Sequence, residues 1–226
     1  FADAPPPKNS LYWTSVMKTI QRSIIGLFAA SLATIFVSTT DAAPYQKGDV
    51  KLQSIGPLAT GPDGVLFVSD PKAACIIAIK AAAKPTGNPS GNFKVEGLNA
   101  KVAAVLGASV DQVRIIDLAV DTSSQTAYLS VVRGQGANAN AAVVSVRPSG
   151  KIHVLSLKNV QHAVAKLSNA PADQETGTGR RRRNQRMESI TDIAFVKGKV
   201  IVAGLSNEEF SSTLRTIPFP FEGSQK

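Results

Sequence analysis

Two aspartates occupy the same position of a repeated phrase. Asp117 lies third in Ile-Ile-Asp-Leu-Ala (115–119), and Asp192 lies third in Ile-Thr-Asp-Ile-Ala (190–194), 75 residues later. Carboxylates at equivalent positions of a repeat can converge on a shared centre, or each can accept hydrogen bonds from a turn or from a neighbouring main chain. The first copy of the phrase has Pro57 at this position and supplies no third carboxylate.

Polar residues after the last copy form a second group of candidates. Asn207 and Glu208 follow an apolar stretch and Gly204. They are interpreted either as loop-borne ligands or as a capped turn in contact with solvent. Glu208 and Glu209 do not form an acid/base pair, because adjacent side chains diverge on a strand and on a helix.

Five arginines fall within one seven-residue window. The candidate polyanion-binding residues are Arg180, Arg181, Arg182, Arg183 and Arg186. The chain has a formal charge of +9, and without these side chains the balance is 9 − 5 = +4, so the basic character belongs largely to one segment. Clustered guanidinium groups attract phosphate and sulfate groups; the alternative is a solvated loop. No aromatic residues are interleaved with the arginines, so nucleic acid is not an expected partner.

Short antiparallel strands are predicted to position these residues. The repeated phrase occurs at 54–69, 114–130 and 189–204, and each copy reads as a strand, a turn and a second strand. Further strands after each copy give about four per unit, which is the blade pattern of a β-propeller. We therefore expect an all-β fold, a partial β-propeller of about three four-stranded blades with short helical insertions. A β-sandwich or another meander stays open as an alternative.

The predicted propeller domain spans residues 44–226. Its blades are expected at about 50–98, 114–160 and 189–226, with a basic loop at 168–188. Helical spacing predicts a short helix within 99–113 and another at 160–167, and residues 93–95 are predicted as an outer strand of the first blade. Propellers usually close with four to eight blades, so we expect a further C-terminal half or a second chain to close the ring.

The amino-terminal region has the order of a secretory signal peptide. A short basic segment begins at Met17, an uncharged apolar run covers 23–37, and small residues lead to Ala43. A transmembrane anchor is the alternative, but it needs about 20 apolar residues. We expect 17–43 to be removed, no stable membrane anchor to remain, and the protein to be periplasmic or extracellular. Residues 1–16 are interpreted as a non-native leader.

Three residues with reactive side chains are predicted to be structural. Cys75 lies in an apolar run, and a single cysteine allows neither an intramolecular disulfide nor a cysteine-based zinc cluster. The two histidines, His153 and His162, show no metal-ligand spacing and no pairing with a nucleophile.

The stretch 61–70, Gly-Pro-Asp-Gly-Val-Leu-Phe-Val-Ser-Asp, resembles the Pro-Asp-Gly-Xaa-Leu-Tyr-Val-Xaa-Asp phrase of the NHL-type and SMP-30/gluconolactonase-like (YVTN-type) β-propeller superfamily. The chain is also similar to uncharacterised exported bacterial propeller proteins. Propellers of the SMP-30-like kind hold a divalent metal near the central channel with carboxylate and amide oxygens. The resemblance therefore implies that Asp117 and Asp192, with Asn207 and Glu208, lie near a divalent cation such as calcium.

Three functions are compatible with these patterns. The first is a non-catalytic exported propeller that acts as a binding or interaction module for an unknown small molecule or protein. The second is an SMP-30-like metal-dependent hydrolase of lactones or esters. A quinone-cofactor oxidoreductase is a third, for which the sequence shows no specific residues. Whether the protein is an enzyme stays open at this point.

Overall fold

The computed structural model describes residues 45–81, 94–207 and 212–221. Within these ranges the chain forms antiparallel strands and one α-helix, α1 (Leu98–Leu106), so the expected all-β class is confirmed. The strands are β1 (Gln46–Gly48), β2 (Leu58–Thr60), β3 (Val65–Asp70), β4 (Cys75–Lys80), β5 (Val113–Asp121), β6 (Thr126–Arg133), β7 (Asn140–Val146), β8 (Ile152–Val154), β9 (Val160–Lys166), β10 (Glu175–Thr176), β11 (Arg183–Asn184), β12 (Asp192–Val196), β13 (Lys199–Leu205) and β14 (Ser212–Pro218). The predicted leader and signal peptide lie outside the described residues. In the described ranges no helix is both long and apolar enough to cross a membrane.

Three sheets and one small hairpin contain all of these strands. The first sheet has the order β1-β9-β4-β3-β2, the second β5-β6-β7-β8 and the third β12-β13-β14, while β10 pairs with β11. Neighbouring strands are antiparallel throughout. The first sheet therefore collects strands from three separate parts of the chain.

The sheets pack face to face with the first sheet in the middle. Between the first and third sheets, the fully buried Phe67 stacks on Phe195 with ring centroids 5.4 Å apart and meets the edge of Phe219 at 4.9 Å. On its other face, the first sheet shares a buried cluster with Tyr128 of the second sheet. Helix α1 covers part of the far face of the second sheet through the buried Val102.

The inner edges of the three sheets adjoin one another. The main-chain amide of Leu58 in β2 donates to Oδ2 of Asp117 in β5 at 2.8 Å, and Oγ1 of Thr60 donates to the Val120 carbonyl at 3.2 Å. Strand β12 lies against β2 on the opposite side. Three sheets stacked through adjoining inner strands form a partial β-propeller, as expected from the repeated phrase. Their spatial order is third, first, second.

Two local predictions are wrong. The segment 160–167, predicted as a helix, forms β9 and occupies the fourth position of the first sheet, between β4 and β1. Because β9 takes the free edge of β4, the outer strand predicted at 93–95 is not formed by the described Lys94 and Val95; Val95 instead packs near α1. The helix predicted within 99–113 is confirmed as α1.

Candidate functional site

The candidate residues gather at the end of the molecule where β2, β5 and β12 begin, called here the strand-start face. The Leu58–Asp117 and Thr60–Val120 hydrogen bonds show that β2 and β5 run in the same direction. Ser189, just before β12, donates its hydroxyl to the Pro71 carbonyl at 3.1 Å. Because β3 is antiparallel to β2, Pro71 lies where β2 begins. The loops 71–74, 134–139 and 206–207 and the insertion 168–188 lie at this face.

Asp117 bonds the main chain of a neighbouring sheet. It is half-buried in β5, opposite Ser130, and its Oδ2 accepts the hydrogen bond from the Leu58 amide. A β-bulge between Ile115 and Asp117 shifts the register at this point. Such a bulge re-aims a side chain, and here the carboxylate reaches the first residue of the adjoining inner strand. The carboxylate therefore links two blades.

Asp192 and Asn207 lie at the same face but are not joined to Asp117 in a ligand cluster. Asp192 is exposed, and its Oδ1 accepts from the amide of the next residue, Ile193, at 2.8 Å. The main-chain amide of Asn207 donates to the main-chain carbonyl of Asn169 at 2.8 Å. No group of three or more histidine, cysteine, aspartate or glutamate side chains with metal-binding spacing occurs among the described residues, and Glu208 lies outside them. The described residues therefore do not supply the oxygen cage that calcium requires.

One loop conformation occurs twice. Residues 134–139, between β6 and β7, and 177–182, between β10 and β11, both read Gly-Xaa-Gly followed by three residues. The φ angles of the glycines are 87° and 55° in the first loop and 87° and 56° in the second. A Cβ at Gly134 would lie 2.5 Å from the Asn138 carbonyl oxygen, and one at Gly177 would lie 2.6 Å from that of Arg181. Only glycine fits the first position of either loop.

The second of these loops carries the arginine run. Arg180 and Arg181 lie in a 3-10 turn at the tip of the β10–β11 hairpin, and both side chains are exposed. Arg182 pairs with Glu175 at 2.5 Å, with both groups largely exposed. Within the described ranges, neither the two tip arginines nor the exposed Arg183 has a carboxylate partner. The sequence therefore builds a defined hairpin that presents three guanidinium groups without a carboxylate partner among the described residues.

Two further arginines at this face are half-buried. Nη2 of Arg215, on β14, donates to the carbonyls of Leu205 at 3.2 Å and of Asn169 at 3.4 Å, whereas Nη1 is buried and has no partner within the described part of the chain. Nε of Arg186 is also buried and unpartnered there. Burial lowers the pKa of Arg215 from its ordinary value, but a guanidinium stays protonated in proteins. Each side chain therefore has a charged donor that no described residue uses.

A cavity of about 320 Å³ lies beside the first Gly-Xaa-Gly loop. Its wall includes Asp111, Gln112 and Arg114 at the start of β5, together with Gln135 and Gly136 of the loop. The Gly134 amide donates to the Gln112 carbonyl at 2.8 Å and thereby holds the loop against the strand. The lining is mixed, because these polar groups of both charge signs lie beside Val113, Val132 and Ala139.

Cys75 and His162 have the structural contacts that were predicted, whereas the side chain of His153 is exposed on β8. Cys75 is buried, and its pKa is raised to about 12 by burial and by Asp70, so the thiol is protonated and weakly reactive. His162 lies in β9. Its Nδ1 donates to the Val160 carbonyl at 3.1 Å, and its Nε2 accepts from the side-chain amide of Gln46 at 3.1 Å. This tautomer follows from the carbonyl, which can only accept. The histidine joins β1 to β9.

Two features of the face were missed from sequence. Arg215 gave no signal, because a lone arginine in a predicted strand resembles any solvent-facing residue. The paired loops did leave a signal, since Gly134-Gln-Gly136 and Gly177-Thr-Gly179 share spacing. Their common function as hairpin loops became clear only from the glycine φ angles.

Comparisons with known proteins do not assign a family. No family model matches this chain, and no curated protein matches it. The PQQ-bound aldose sugar dehydrogenase from Streptomyces coelicolor is 14% identical over 80% of this chain and 83% of that chain, with a TM-score of 0.20. A streptogramin B lyase is 10% identical over 78% of this chain and 59% of that chain, with a TM-score of 0.16. Likenesses this weak carry no argument, so the propeller architecture rests on the packing of the chain's own three sheets.

Proposed function

We propose that this protein is an exported binding module whose strand-start face captures a polyanionic ligand. The observation that carries the proposal is the arginine hairpin. Three guanidinium groups, those of Arg180, Arg181 and Arg183, are exposed and unpaired within the described ranges on a loop whose conformation is set by glycines. Guanidinium groups bind sulfate, phosphate and carboxylate oxygens in bidentate geometry.

The fixed conformation of the loop favours a binding function for these arginines over a function in keeping the protein soluble. A loop held in one conformation loses less entropy when its ligand binds. The residues 168–188 carry five arginines against Asp173, Glu175 and Glu188, a local balance of 5 − 3 = +2. Because Glu175 pairs with Arg182, and Asp173 accepts from Asn184 at 2.6 Å, two of the three acids are already engaged inside the hairpin. The tip therefore stays positive.

The buried donors of Arg186 and Arg215 support the same ligand class. Each guanidinium has a nitrogen shielded from water without a partner in the described part of the chain, and an unpaired buried donor costs about 1–3 kcal/mol. An anionic group that reached these nitrogens would remove that cost. The metal-dependent hydrolase lacks comparable support, because the described carboxylates are not assembled into a ligand set.

Binding of defined anionic probes tests the proposal. A fluorescent sulfated oligosaccharide and a linear polyphosphate are titrated against the protein at low and at physiological salt. We expect both to bind, more weakly at higher salt, because exposed ion pairs are screened. The triple variant Arg180→Gln, Arg181→Gln, Arg183→Gln should bind about tenfold more weakly, since each exposed contact contributes up to about 1 kcal/mol.

A charge-matched control separates the hairpin from the net charge. The variant Lys47→Gln, Lys51→Gln, Lys158→Gln removes three exposed positive charges from other parts of the surface. Its affinity should stay within about twofold of the wild type. Equal losses in the two triple variants would show that only the overall charge attracts the probe, and the proposal would fail. Export is a separate component, checked by the intact mass of the protein recovered outside the cytoplasm, which should lack residues 17–43.

A further inference from the structure

The cavity beside the loop 134–139 has opposite charges in its lining. Its volume of about 320 Å³ lies at the lower end of the range for small-molecule sites. Asp111 lies in the 3-10 turn that precedes β5, and Arg114 is the second residue of that strand. Both side chains are exposed, and neither forms an ion pair with any described residue, the other included. A carboxylate and a guanidinium are therefore both available to one ligand in this cavity.

The strand pair and the loop hold these walls in place. Arg114 lies directly opposite Val132 in the β5–β6 pair, so the two side chains project from the same face of the sheet. The Gly134 amide donates to the Gln112 carbonyl at 2.8 Å and joins the loop to the segment that enters β5. Because paired main chain forms the walls, little conformational entropy is lost when a ligand binds between them.

The rest of the lining divides into a hydrogen-bonding part and an apolar part. Gln112 and Gln135 line the cavity, and a side-chain amide can both donate and accept. Val113, Val132 and Ala139 supply apolar contacts. A matching ligand therefore combines a polar, charged portion with a short hydrocarbon portion.

The two charges decide between classes of ligand. A simple anion would be attracted by Arg114 and repelled by Asp111, and a simple cation would experience the reverse. We propose that this cavity binds a small zwitterion of the size of a free α-amino acid with an apolar side chain. The ligand carboxylate accepts from the Arg114 guanidinium, its ammonium donates to the Asp111 carboxylate, and its hydrocarbon portion lies against Val132 and Ala139. This site shares no residue with the arginine hairpin and goes beyond the capture of a polyanion.

Titration of the isotope-labelled full chain with three related probes tests the proposal by NMR. L-Leucine carries both charges, isocaproate lacks the ammonium group, and isopentylamine lacks the carboxylate. We expect leucine to bind in the millimolar range and about fivefold more tightly than either analogue, the gain that one additional exposed ion pair can give. The amide signals of Arg114, Gln135 and Gly136 should shift on binding.

Single substitutions assign the two charged contacts. Arg114→Gln should lower the affinity for leucine to that for isopentylamine, and Asp111→Asn should lower it to that for isocaproate. Lys158→Gln and Glu96→Gln remove exposed charges elsewhere, and these matched controls should bind leucine within about twofold of the wild type. A variant of either cavity residue that bound leucine like the wild type would overturn the proposal.

The wild-type protein alone also provides a decisive result, whatever the stability of the variants. Equal affinities for leucine and for either analogue would show that only one of the two charges is recognised. Signal shifts confined to other parts of the chain, or no shifts at the solubility limit of leucine, would likewise overturn the assignment of this cavity to a zwitterion.

Discussion

Several carboxylates among the described residues hold main-chain amides in place. Asp70 is almost fully buried and accepts from the amides of Gln53 at 2.7 Å, Ser54 at 3.0 Å and Ala73 at 3.1 Å. Asp121 fixes the β5–β6 turn in the same way, and Asp117 joins two sheets. Because these oxygens already accept hydrogen bonds, their primary role is structural. For this reason the aspartates of the repeated phrase and its turns do not form a cluster of carboxylates available to bind a metal ion.

The turn aspartate Asp121 should give the protein an acid-sensitive contribution to stability. Burial alone would raise its pKa, but hydrogen bonds from Ser124 Oγ at 2.6 Å and from the Ser123 hydroxyl and amide at 2.7 and 2.9 Å outweigh burial and hold the pKa below its ordinary value. A folded pKa below the unfolded one stabilises the protein above the unfolded pKa, near 4, and this stabilisation is lost as the pH falls through the folded pKa.

We therefore expect Asp121→Asn to lower the free energy of unfolding by about 1–3 kcal/mol at pH 7. The difference from the wild type should shrink when urea unfolding is measured at pH 3. Asp111→Asn, an exposed aspartate near the start of the same strand, is the control and should change little at either pH. A difference for Asp121→Asn that is the same at both pH values would contradict the assignment.

The functions of single residues were only partly predictable from sequence. For Asp117, bonding to a neighbouring main chain was one of two open interpretations, and the structure places it there. The equivalent Asp192 could not be distinguished from it, because the two phrases are alike. The two aspartates differ because Asp117 faces an adjoining sheet, whereas Asp192 is exposed. That difference depends on contacts between distant parts of the chain.

At the scale of elements, β9 shows where local pattern fails. The segment Val-Gln-His-Ala-Val-Ala-Lys has apolar residues that fit both a helical and an alternating spacing. Ala163 and Ala165 are buried in alternation, as in a strand. Strand β4 decides between the two, because its edge needs a hydrogen-bonding partner and pairs with His162 to Lys166. Such tertiary context overrides intrinsic preference in sheets.

Gly204 sets the distance between β13 and the turn that leads into β12. A Cβ at this position would lie 2.1 Å from the Ser189 carbonyl oxygen and 2.9 Å from the Ile190 nitrogen. Both atoms are main chain, so they cannot rotate away. We expect Gly204→Ala to lower the free energy of unfolding by about 1–3 kcal/mol, in the range of overpacking substitutions, as measured by urea unfolding.

Gly48→Ala is the matched control for this substitution. Gly48 lies in β1, where an added Cβ would meet His162 Cε1 at an ordinary 3.5 Å. Its effect should stay within about 0.5 kcal/mol, as for surface substitutions that disturb no packing. If both substitutions changed the free energy of unfolding equally, the contact with the Ser189 carbonyl would not be the cause. The change would then come from replacing glycine by alanine in general.

At the scale of the whole molecule, the repeat predicted three sheets but not their arrangement. The first sheet packs on both other sheets, and it is completed by β1, which precedes the repeat, and by β9, which follows the second sheet. Pairing of Gln46 with His162 spans 116 residues, and no local pattern encodes a contact of that range. Recurrence of the phrase therefore identified the inner strands, whereas the outer strands and the order of the sheets depended on long-range pairing.

Phe67 lies at the centre of the aromatic contacts between the first and third sheets. Its ring is fully buried, stacks on Phe195, and lies with centroid distances of 4.9 Å from Phe219 and 6.0 Å from Phe221. We expect Phe67→Ala to lower the free energy of unfolding by about 3–5 kcal/mol, as large-to-small substitutions of buried aromatic residues do.

Hydrogen exchange can then show whether the two sheets open as one unit. In Phe67→Ala, amides of β3 and β13 should lose protection together, because the ring belongs to the cluster that both sheets share. Leu129→Ala is the comparison: this side chain is 1% exposed in the cluster between the second sheet and α1, so it should cost about 2–5 kcal/mol and weaken protection in β6 and α1 first. Loss of protection in β3 while β13 kept its protection would contradict this expectation. The third sheet would then be stable without the aromatic cluster, and the two sheets would open separately.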